Sequence, residues 1–399
     1  MVANKGFQEI DYRTANTAKI AIGVLGYGFM GKVHSNAYLK IPYTYKTPAA
    51  FPELVAMGGR TEEKVEDTAR RFGYLGYYTD WRSLIEDPRI QVFDNCAGEN
   101  MHYEPSVAAV EQGKHLICEK PLAMSADEAK KMLDAAERSG VKHMCMFNYR
   151  FIPAVRLARD LLERRALGTI YQFRARYLQQ QGHSPDEVVE NIWYAKKTRT
   201  GVLGGIGCHV IDLARFLVGE ISAVSGIVKT FHSKRKTKVG DEQDIDADEG
   251  NVALIEFENG AIGTLESSGV STGRKNHNTW EINGSKGSLL FDLEDLNHLQ
   301  VYLEEGPLKE TWGFSNVSVT EPFHPFQTLI LPRGHNAGWE YGHVHGLHHF
   351  INCVVNDLPV APYGATFEDG YKAQVVVEAI KLSSKMGKRV GIKSISNAS

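Results

Sequence analysis

Residues Gly26-Tyr27-Gly28-Phe29-Met30-Gly31 close an apolar run, Ile20–Leu25, and open an amphipathic stretch. A glycine-rich turn between strand and helix leaves bare backbone N–H groups at the helix start. That arrangement binds pyrophosphate and belongs to parallel α/β sheets. The same glycines could form a tight turn with no ligand, but the strand before and the helix after supply the context that a bare Gly-x-Gly-x-x-Gly match lacks. The first third of the chain continues the pattern. Apolar runs at Leu54–Gly58, Val92–Cys96, His115–Cys118 and His143–Phe147 alternate with helical periodicity over Lys32–Leu39, Glu62–Phe72, Pro105–Gln112 and Ser125–Ser139. Ser125 with Glu128 three residues on predicts a capping box. The alternation predicts an α/β domain, a doubly wound parallel sheet of the Rossmann type, over residues 17–147.

From Asn148 the character changes. A helix over Ala154–Leu162 and a strand over Thr169–Leu178 lead to a glycine-rich segment and a helix over Val210–Leu217. Consecutive strands follow at Ala223–Phe231, Asn251–Phe257, Ile262–Ser268, Thr279–Asn283, Ser288–Asp292 and Leu299–Leu303. The turns Glu258-Asn259-Gly260 and Gly284-Ser285-Lys286-Gly287 are hairpin chemistry. A second, α+β domain with a large, mostly antiparallel sheet is therefore expected over residues 148–399. Gly306–Trp339 lacks a period and reads as a long loop. Helices His343–Asn356 and Phe367–Met386 and a short strand end the chain.

A chain of 399 residues is long enough for two domains, and a net charge of −3 argues against electrostatic binding to nucleic acid or to a membrane surface. The basic run Lys234–Lys238 is followed at once by the acidic Asp241–Glu249, so a polar loop between strands is expected there. No apolar run has membrane-spanning length, and residues 1–17 are polar and mixed, without a signal-peptide core. Cys96, Cys118, Cys145, Cys208 and Cys353 are odd in number, far apart, and form no Cys-x-x-Cys pattern. Buried, reduced thiols in a cytoplasmic enzyme are the expectation.

Four places could carry chemistry. Glu119-Lys120-Pro121 follows the strand His115–Cys118, where the same sheet should end and where open α/β sheets bind ligands. Lysines at strand ends are mostly surface residues, but the proline fixes the chain's direction there. An ammonium beside a cationic oxidised nicotinamide would have a lowered pKa, useful for passing a proton. His209 and Asp212, three apart after Gly204-Gly205-Ile206-Gly207, should share a helix face as an imidazole–carboxylate pair. A histidine at a helix start is as often structural. At the end of the second strand, where an NAD enzyme normally carries an acid, the chain reads Gly58-Gly59-Arg60-Thr61. Arg60 would tolerate a 2′-phosphate, as in NADP, or stack on adenine. His345 and His349, four apart, have a spacing that zinc could use. A helix start facing solvent or a subunit explains them as well, and no metal site is assigned.

Taken together, Gly-Tyr-Gly-Phe-Met-Gly-Lys-Val-His-Ser (26–35), Glu119-Lys120-Pro121-Leu122, Asn148-Tyr149-Arg150-Phe151 and His209-x-x-Asp212 resemble the glucose–fructose oxidoreductase, inositol dehydrogenase and rhizopine-catabolism (Gfo/Idh/MocA) family. The resemblance runs from Ile20 to Ile392. It implies a nicotinamide-dependent oxidation of a secondary hydroxyl on a cyclic polyol, sugar or glycoside, with Lys120 and His209 handling the hydroxyl proton and Asp212 orienting His209 or binding a neighbouring hydroxyl. It further implies cofactor contacts from Gly26, Gly28, Phe29, Met30, Gly31, Arg60, Ala97, Glu99, His102, Glu119, Lys120 and Asn148. The long loop Lys40–Pro52 is similar to that of NAD-using members, so NAD is expected, with NADP possible. Family members often pair their large sheets between subunits, which implies a homo-oligomer. Two departures stand out. Many members carry Asp where this chain has Gly205, and the usual Thr-Pro-Asn reads Ala97-Gly98-Glu99, with His102 retained. The glycine is expected to enlarge the pocket for a bulkier substrate such as a glycoside, and to leave Lys120 with more of the proton chemistry. Two other readings remain open. One is a redox-neutral sugar oxidoreductase with tightly bound NAD. The other is a non-catalytic NAD-binding sensor, which the missing Asp favours and the joint presence of Lys120 and His209 opposes.

Overall fold

The structure is a computed structural model, describing residues 18–195, 199–304, 309–327 and 331–396. Strands β1 (Lys19–Leu25), β2 (Phe51–Gly58), β3 (Gly76–Tyr78), β4 (Val92–Asn95), β5 (His115–Cys118) and β6 (His143–Cys145) form one parallel sheet in the order 3-2-1-4-5-6. Helices α1 (Phe29–Thr44), α2 (Glu62–Phe72), α3 (Trp81–Glu86), α4 (Tyr103–Glu111) and α5 (Ala126–Ser139) connect them. This is the strand order of dinucleotide-binding sheets, with its switch point between β1 and β4. β1 is apolar almost throughout because both its faces are covered.

The sequence missed β3 and α3, which are three and six residues long and too short for a periodic signal. It also ended α1 too early. Pro42 lies inside that helix, whose last turn is kept by the burial of Tyr38, Ile41 and Thr44. Proline there removes one backbone hydrogen bond, and packing outweighs the loss. At α5, Ser125 accepts from the Glu128 amide, but the Glu128 carboxylate returns to Met124 N (3.1 Å) and not to Ser125 N.

The second sheet has nine strands. After α6 (Pro153–Glu163) come β7 (Ile170–Leu178), α7 (Cys208–Leu217), β8 (Ile221–Lys229), the small hairpin β9 (Lys234–Lys236) and β10 (Glu242–Asp244), then β11 (Gly250–Phe257), β12 (Ile262–Ser268), β13 (His277–Gly284), β14 (Gly287–Asp292), β15 (His298–Leu303) and β16 (Ser315–Ser318). Helices α8 (Tyr341–Val355) and α9 (Phe367–Met386) and strand β17 (Val390–Gly391) close the chain. The sheet order is 16-15-14-13-7-12-11-8-17. Only β7 and β12 run parallel; every other pair is antiparallel.

Two expectations are corrected. The segment read as a loop after Gly306 contributes β16, which pairs with β15 at the sheet edge. The basic run is a hairpin, and Arg235 within it is fully buried against Glu249 (Nη2–Oε1 2.8 Å). A charge is tolerated there because the pair is complete and Arg235 Nη1 also donates to the Ser184 carbonyl (2.8 Å).

The chain's last helices return to the first sheet. Val344, Leu347, Phe350 and Ile351 of α8 share one core with Ile20, Ile22 and Val24 of β1 and Tyr38 and Ile41 of α1. A second, continuous core joins the other face of the first sheet through α5, α7 and α9 to Phe173, Leu265 and Trp280 of the large sheet. The cleft at the carboxyl ends of β1, β4 and β5 is thereby walled by residues from both sheets.

Candidate active site

The glycine-rich turn is built for close backbone approach. Gly26 has φ +111°, and a Cβ there would lie 2.6 Å from the Cys96 carbonyl oxygen at the exit of β4. A Cβ at Gly31 would lie 1.7 Å from the Gly26 carbonyl oxygen, so this glycine lets α1 start against the turn. At Gly28 a Cβ would meet nothing within 4 Å. No side chain caps α1, which leaves its first amides free for an anion. The cradle fits a dinucleotide pyrophosphate. Gly26, Gly28, Phe29 and Met30 line the cleft, and Phe29 stacks on Trp339 at 6.1 Å. Gly31 does not line it and acts through helix packing.

The cleft has a volume of about 1020 Å³. At the outer end of β2 it is lined by Gly59, Arg60, Thr79 and Trp81, with no carboxylate. A Cβ at Gly59 would lie 2.3 Å from the Tyr27 ring, so this glycine admits Tyr27 beside the turn. Ala97, His102, Glu119, Lys120 and Asn148 also line the cleft, and the Asn148 side-chain nitrogen is buried without a hydrogen-bond partner. His102 holds the carbonyl of Pro121 through Nδ1 (2.8 Å), fixing the turn that carries Lys120.

Glu99 departs from its expected role. Its carboxylate turns away from the cleft to accept from Thr200 N (2.6 Å), Thr200 Oγ1 (2.9 Å) and Arg199 Nη1 (3.2 Å). A buried carboxylate needs such donors, and the loop ahead of α7 supplies all three. Glu99 thus ties the turn after β4 to the loop ahead of α7.

Glu119 lies at the cleft floor, bonded to His34 Nε2 (3.1 Å), while His34 Nδ1 meets Asp94 (2.8 Å). Burial alone would depress His34, but the Asp94 carboxylate overcomes it and the imidazole is pushed well above its ordinary value. Burial would likewise raise Glu119, but hydrogen bonding and charge from His34, then Lys120 and His343, hold it at about 2. Among the described residues, groupings with metal-ligand spacing include His34 with Asp94 and Cys96, and His34 with Glu119 and His343. Both ring nitrogens of His34 are taken by carboxylates, Nδ1 by Asp94 and Nε2 by Glu119. His345 and His349 are committed elsewhere, to Tyr45 OH (2.7 Å) and to the Val360 carbonyl (2.9 Å).

Lys120, at the exit of β5, and His209, at the start of α7, both line the cleft. Residues Leu203–Gly207 form a single π turn ahead of α7. Such turns recur at functional sites because they free backbone groups. Here the Gly205 carbonyl accepts from Lys120 Nζ at 2.9 Å. Burial pulls Lys120 down, but the acidic groups Cys208, Glu119, Glu99 and Tyr149 outweigh it, and its pKa lies above the ordinary 10.5. The lowering expected from the sequence depends on an oxidised nicotinamide beside the ammonium, and the protein's own groups act in the opposite direction. His209 is driven the other way: burial first, then the Lys120 ammonium and the neighbouring His343, push it well below 6.5. It is a neutral imidazole, packed by Phe147, Tyr149 and Tyr177, with Nδ1 lacking a partner.

Asp212 is not the partner of His209. Its oxygens receive Arg150 Nε (2.8 Å) and Nη2 (2.5 Å) in a fork, and Arg150 also contacts Asp369 (3.3 Å). The residue is buried away from the cleft. Sharing a helix face placed the two side chains on one side, but the fully buried guanidinium requires the carboxylate. Gly205 is also corrected. The space a side chain would take is filled by the Trp193 indole, 2.4 Å from a built Cβ, so the glycine admits a tryptophan and does not enlarge the cleft.

Sequence reasoning missed much of the wall facing His209. Tyr149, Tyr177, Asn276 and Gln179 form a hydrogen-bonded chain, with Tyr149 OH–Tyr177 OH 2.7 Å, Tyr177 OH to Asn276 Oδ1 2.6 Å and Gln179 Nε2 to Asn276 Oδ1 3.0 Å. Trp193, Arg199 and Trp339 complete it. These lie at strand ends and in loops, where no period marks them. Only Tyr149, inside a quoted motif, carried a signal.

A pyrophosphate cradle, a lysine and a neutral histidine in one cleft at the switch point of a parallel sheet define a dinucleotide-dependent oxidoreductase. Comparison with known proteins agrees. Residues 20–148 match the profile "Oxidoreductase family, NAD-binding Rossmann fold" and residues 155–290 match "GFO/IDH/MocA C-terminal domain". The chain is 35% identical over 389 residues to levoglucosan dehydrogenase of Pseudarthrobacter phenanthrenivorans, covering 94% of this chain and 98% of that protein. It is 27% identical to the NAD⁺-dependent scyllo-inositol 2-dehydrogenase of Bacillus subtilis, over 85% and 87% of the two chains. A solved levoglucosan dehydrogenase in complex with NADH and L-sorbose superposes with a TM-score of 0.89 at 36% identity, covering 94% of this chain and 99% of that one. The chain belongs to the Gfo/Idh/MocA oxidoreductase family, and NAD is its cofactor.

Proposed function

We infer that the protein oxidises a secondary hydroxyl of a cyclic sugar, polyol or glycoside, with His209 as general base and Lys120 as the cation beside the reacting oxygen. The observation that carries this is that Lys120 and His209 line one cleft beside the glycine cradle, where their surroundings favour opposite protonation states. His209 is neutral and can accept a proton; Lys120 is charged and can stabilise the alkoxide as it forms. Bound NAD supplies the hydride acceptor. This assigns the base to His209 rather than to Lys120. Among the described residues lining the cleft, Glu119 is the only carboxylate, and it is already bonded to His34. Neutral hydroxyls, read by amides and phenols, suit such a wall.

The test is a panel of anhydrosugars, cyclic polyols and glycosides, levoglucosan first, followed as NADH absorbance near roughly 340 nm, the cofactor's own band. NADH formation with at least one cyclic sugar or polyol, strongly slowed in Lys120→Met and His209→Ala, is the expected result. No turnover across the panel would remove the reading. Turnover with no added NAD would favour the redox-neutral alternative.

The outer face of the nine-stranded sheet supports a homo-oligomer. Tyr171, Ile227, Val252, Leu254 and Ile262 are exposed on the adjacent strands β7, β8, β11 and β12, and Val252 lies directly across from Ile227. The five cysteines are all buried and unpaired, which suits a reducing compartment. No described helix is long and apolar enough to cross a membrane.

A further inference from the structure

Gly205 and Trp193 form a matched pair beside the reacting lysine. A Cβ on Gly205 would lie 2.4 Å from both Cη2 and Cζ3 of Trp193, so the outer edge of the indole rests on the Gly205 backbone. The carbonyl of that same glycine accepts from Lys120 Nζ at 2.9 Å. The indole edge and the ammonium thus approach the same glycine. It is held from behind by Tyr194, which is fully buried, donates to the Gln181 carbonyl (2.9 Å) and meets the Trp193 ring edge-on at 5.5 Å. Tyr194 in turn has space only because residues 182 and 269 are glycine, where a Cβ would come within 2.3 and 2.5 Å of it. Three glycines thus serve one aromatic pair. Trp193 itself is half-buried, and it lines the cleft.

A carboxylate recognises a sugar through its hydroxyls. An indole recognises it through the C–H face of the ring, by burying apolar area against a π surface. Only a closed ring offers a flat C–H face. We propose that Trp193 is the stacking platform for the substrate ring, that residue 205 is glycine to admit it, and that the preferred substrates are pyranoses rather than open-chain polyols. This rests on the dehydrogenase reading of the cleft. Trp193 is then a specificity-determining residue, and the hydrogen-bonded wall from Tyr149 to Gln179 reads the hydroxyls.

The experiment compares wild type with Trp193→Phe, Trp193→Leu, Gly205→Ala and the double variant Trp193→Leu/Gly205→Ala. The pyranose turned over best is the substrate, and the matching open-chain alditol is tested as substrate or competitor. Trp193→Leu keeps an apolar side chain but removes the flat face. It is expected to raise KM for the pyranose about tenfold or more, with Trp193→Phe intermediate. Gly205→Ala should reproduce the Trp193→Leu loss because the methyl expels the indole, and the double variant should be no worse than either single one. The alditol should bind wild type at least tenfold more weakly (an order-of-magnitude expectation from the same stacking) and lose less than the pyranose in the variants. NADH affinity, followed by fluorescence titration, should not change, which reports an intact cofactor cradle. Wild-type KM in Trp193→Leu, equal losses on ring and alditol, or additive losses in the double variant would each overturn the platform while leaving the dehydrogenase reading in place. Absence of wild-type turnover with any cyclic sugar or polyol would remove both, and it is seen before any variant is made.

Discussion

His209 and Lys120 share a cleft, and the protein drives their protonation in opposite directions. Burial disfavours charge on both, but the lysine has carboxylates nearby, whereas the histidine has the lysine's own ammonium. Because the folded His209 lies well below 6.5, it stays neutral as pH falls through that value. The acid limb of kcat/KM is therefore expected well below pH 6.5. Lys120→Met removes one of the charges that depress His209, so it should move that limb upward, toward 6.5, while lowering kcat by about 10²–10³-fold. A pH–rate profile of both enzymes checks this, and an acid limb at the same pH in both would refute the coupling. Lys120 and His209 were legible in the sequence because each follows a local signal, a strand exit and a glycine-rich helix entry. Asp212 was misread for a physical reason: periodicity gives the face of a helix, whereas a buried carboxylate goes to the strongest donor nearby, here the Arg150 fork from a distant segment.

The same division appears in the elements. Strand β5 and helices α2 and α9 have the bounds their patterns predict, because caps and periodicity are local. Helix α1 runs past Pro42, and β16 forms where no period exists, because packing and edge pairing decided both. The glycine turn ahead of α1 is the most demanding element. A Cβ at Gly31 would meet a backbone oxygen, which no rotamer can relieve. Gly31→Ala should therefore displace the start of α1, destabilising the fold by about 1–3 kcal/mol and weakening NADH binding at least tenfold. Thermal unfolding and a fluorescence titration measure the two effects, and unchanged NADH affinity would show that the close approach is dispensable.

At the scale of the whole molecule, the first sheet is incomplete without the end of the chain. Helix α8 fills one face of it, and α9 joins its other face to the large sheet, so cofactor cleft and substrate wall are held by shared cores. The large sheet's outer face is left with Leu254 61% exposed among other apolar residues. Leu254→Arg should leave monomer stability within about 0.5 kcal/mol, since the residue is a surface one in the single chain, yet dissociate the proposed homo-oligomer. Light scattering after gel filtration reads the mass, and an unchanged mass would move the interface elsewhere. The sequence by itself determined the parallel sheet, the glycine cradle, the mostly antiparallel second sheet and the two residues proposed to handle the proton, because each is written in local periodicity or a short motif. Only the tertiary structure decided that Arg150 takes Asp212, that Glu99 holds the loop ahead of α7, and that Trp193 fills the space over Gly205. Each depends on which distant side chain reaches a buried charge or an empty volume first, and no local pattern encodes that.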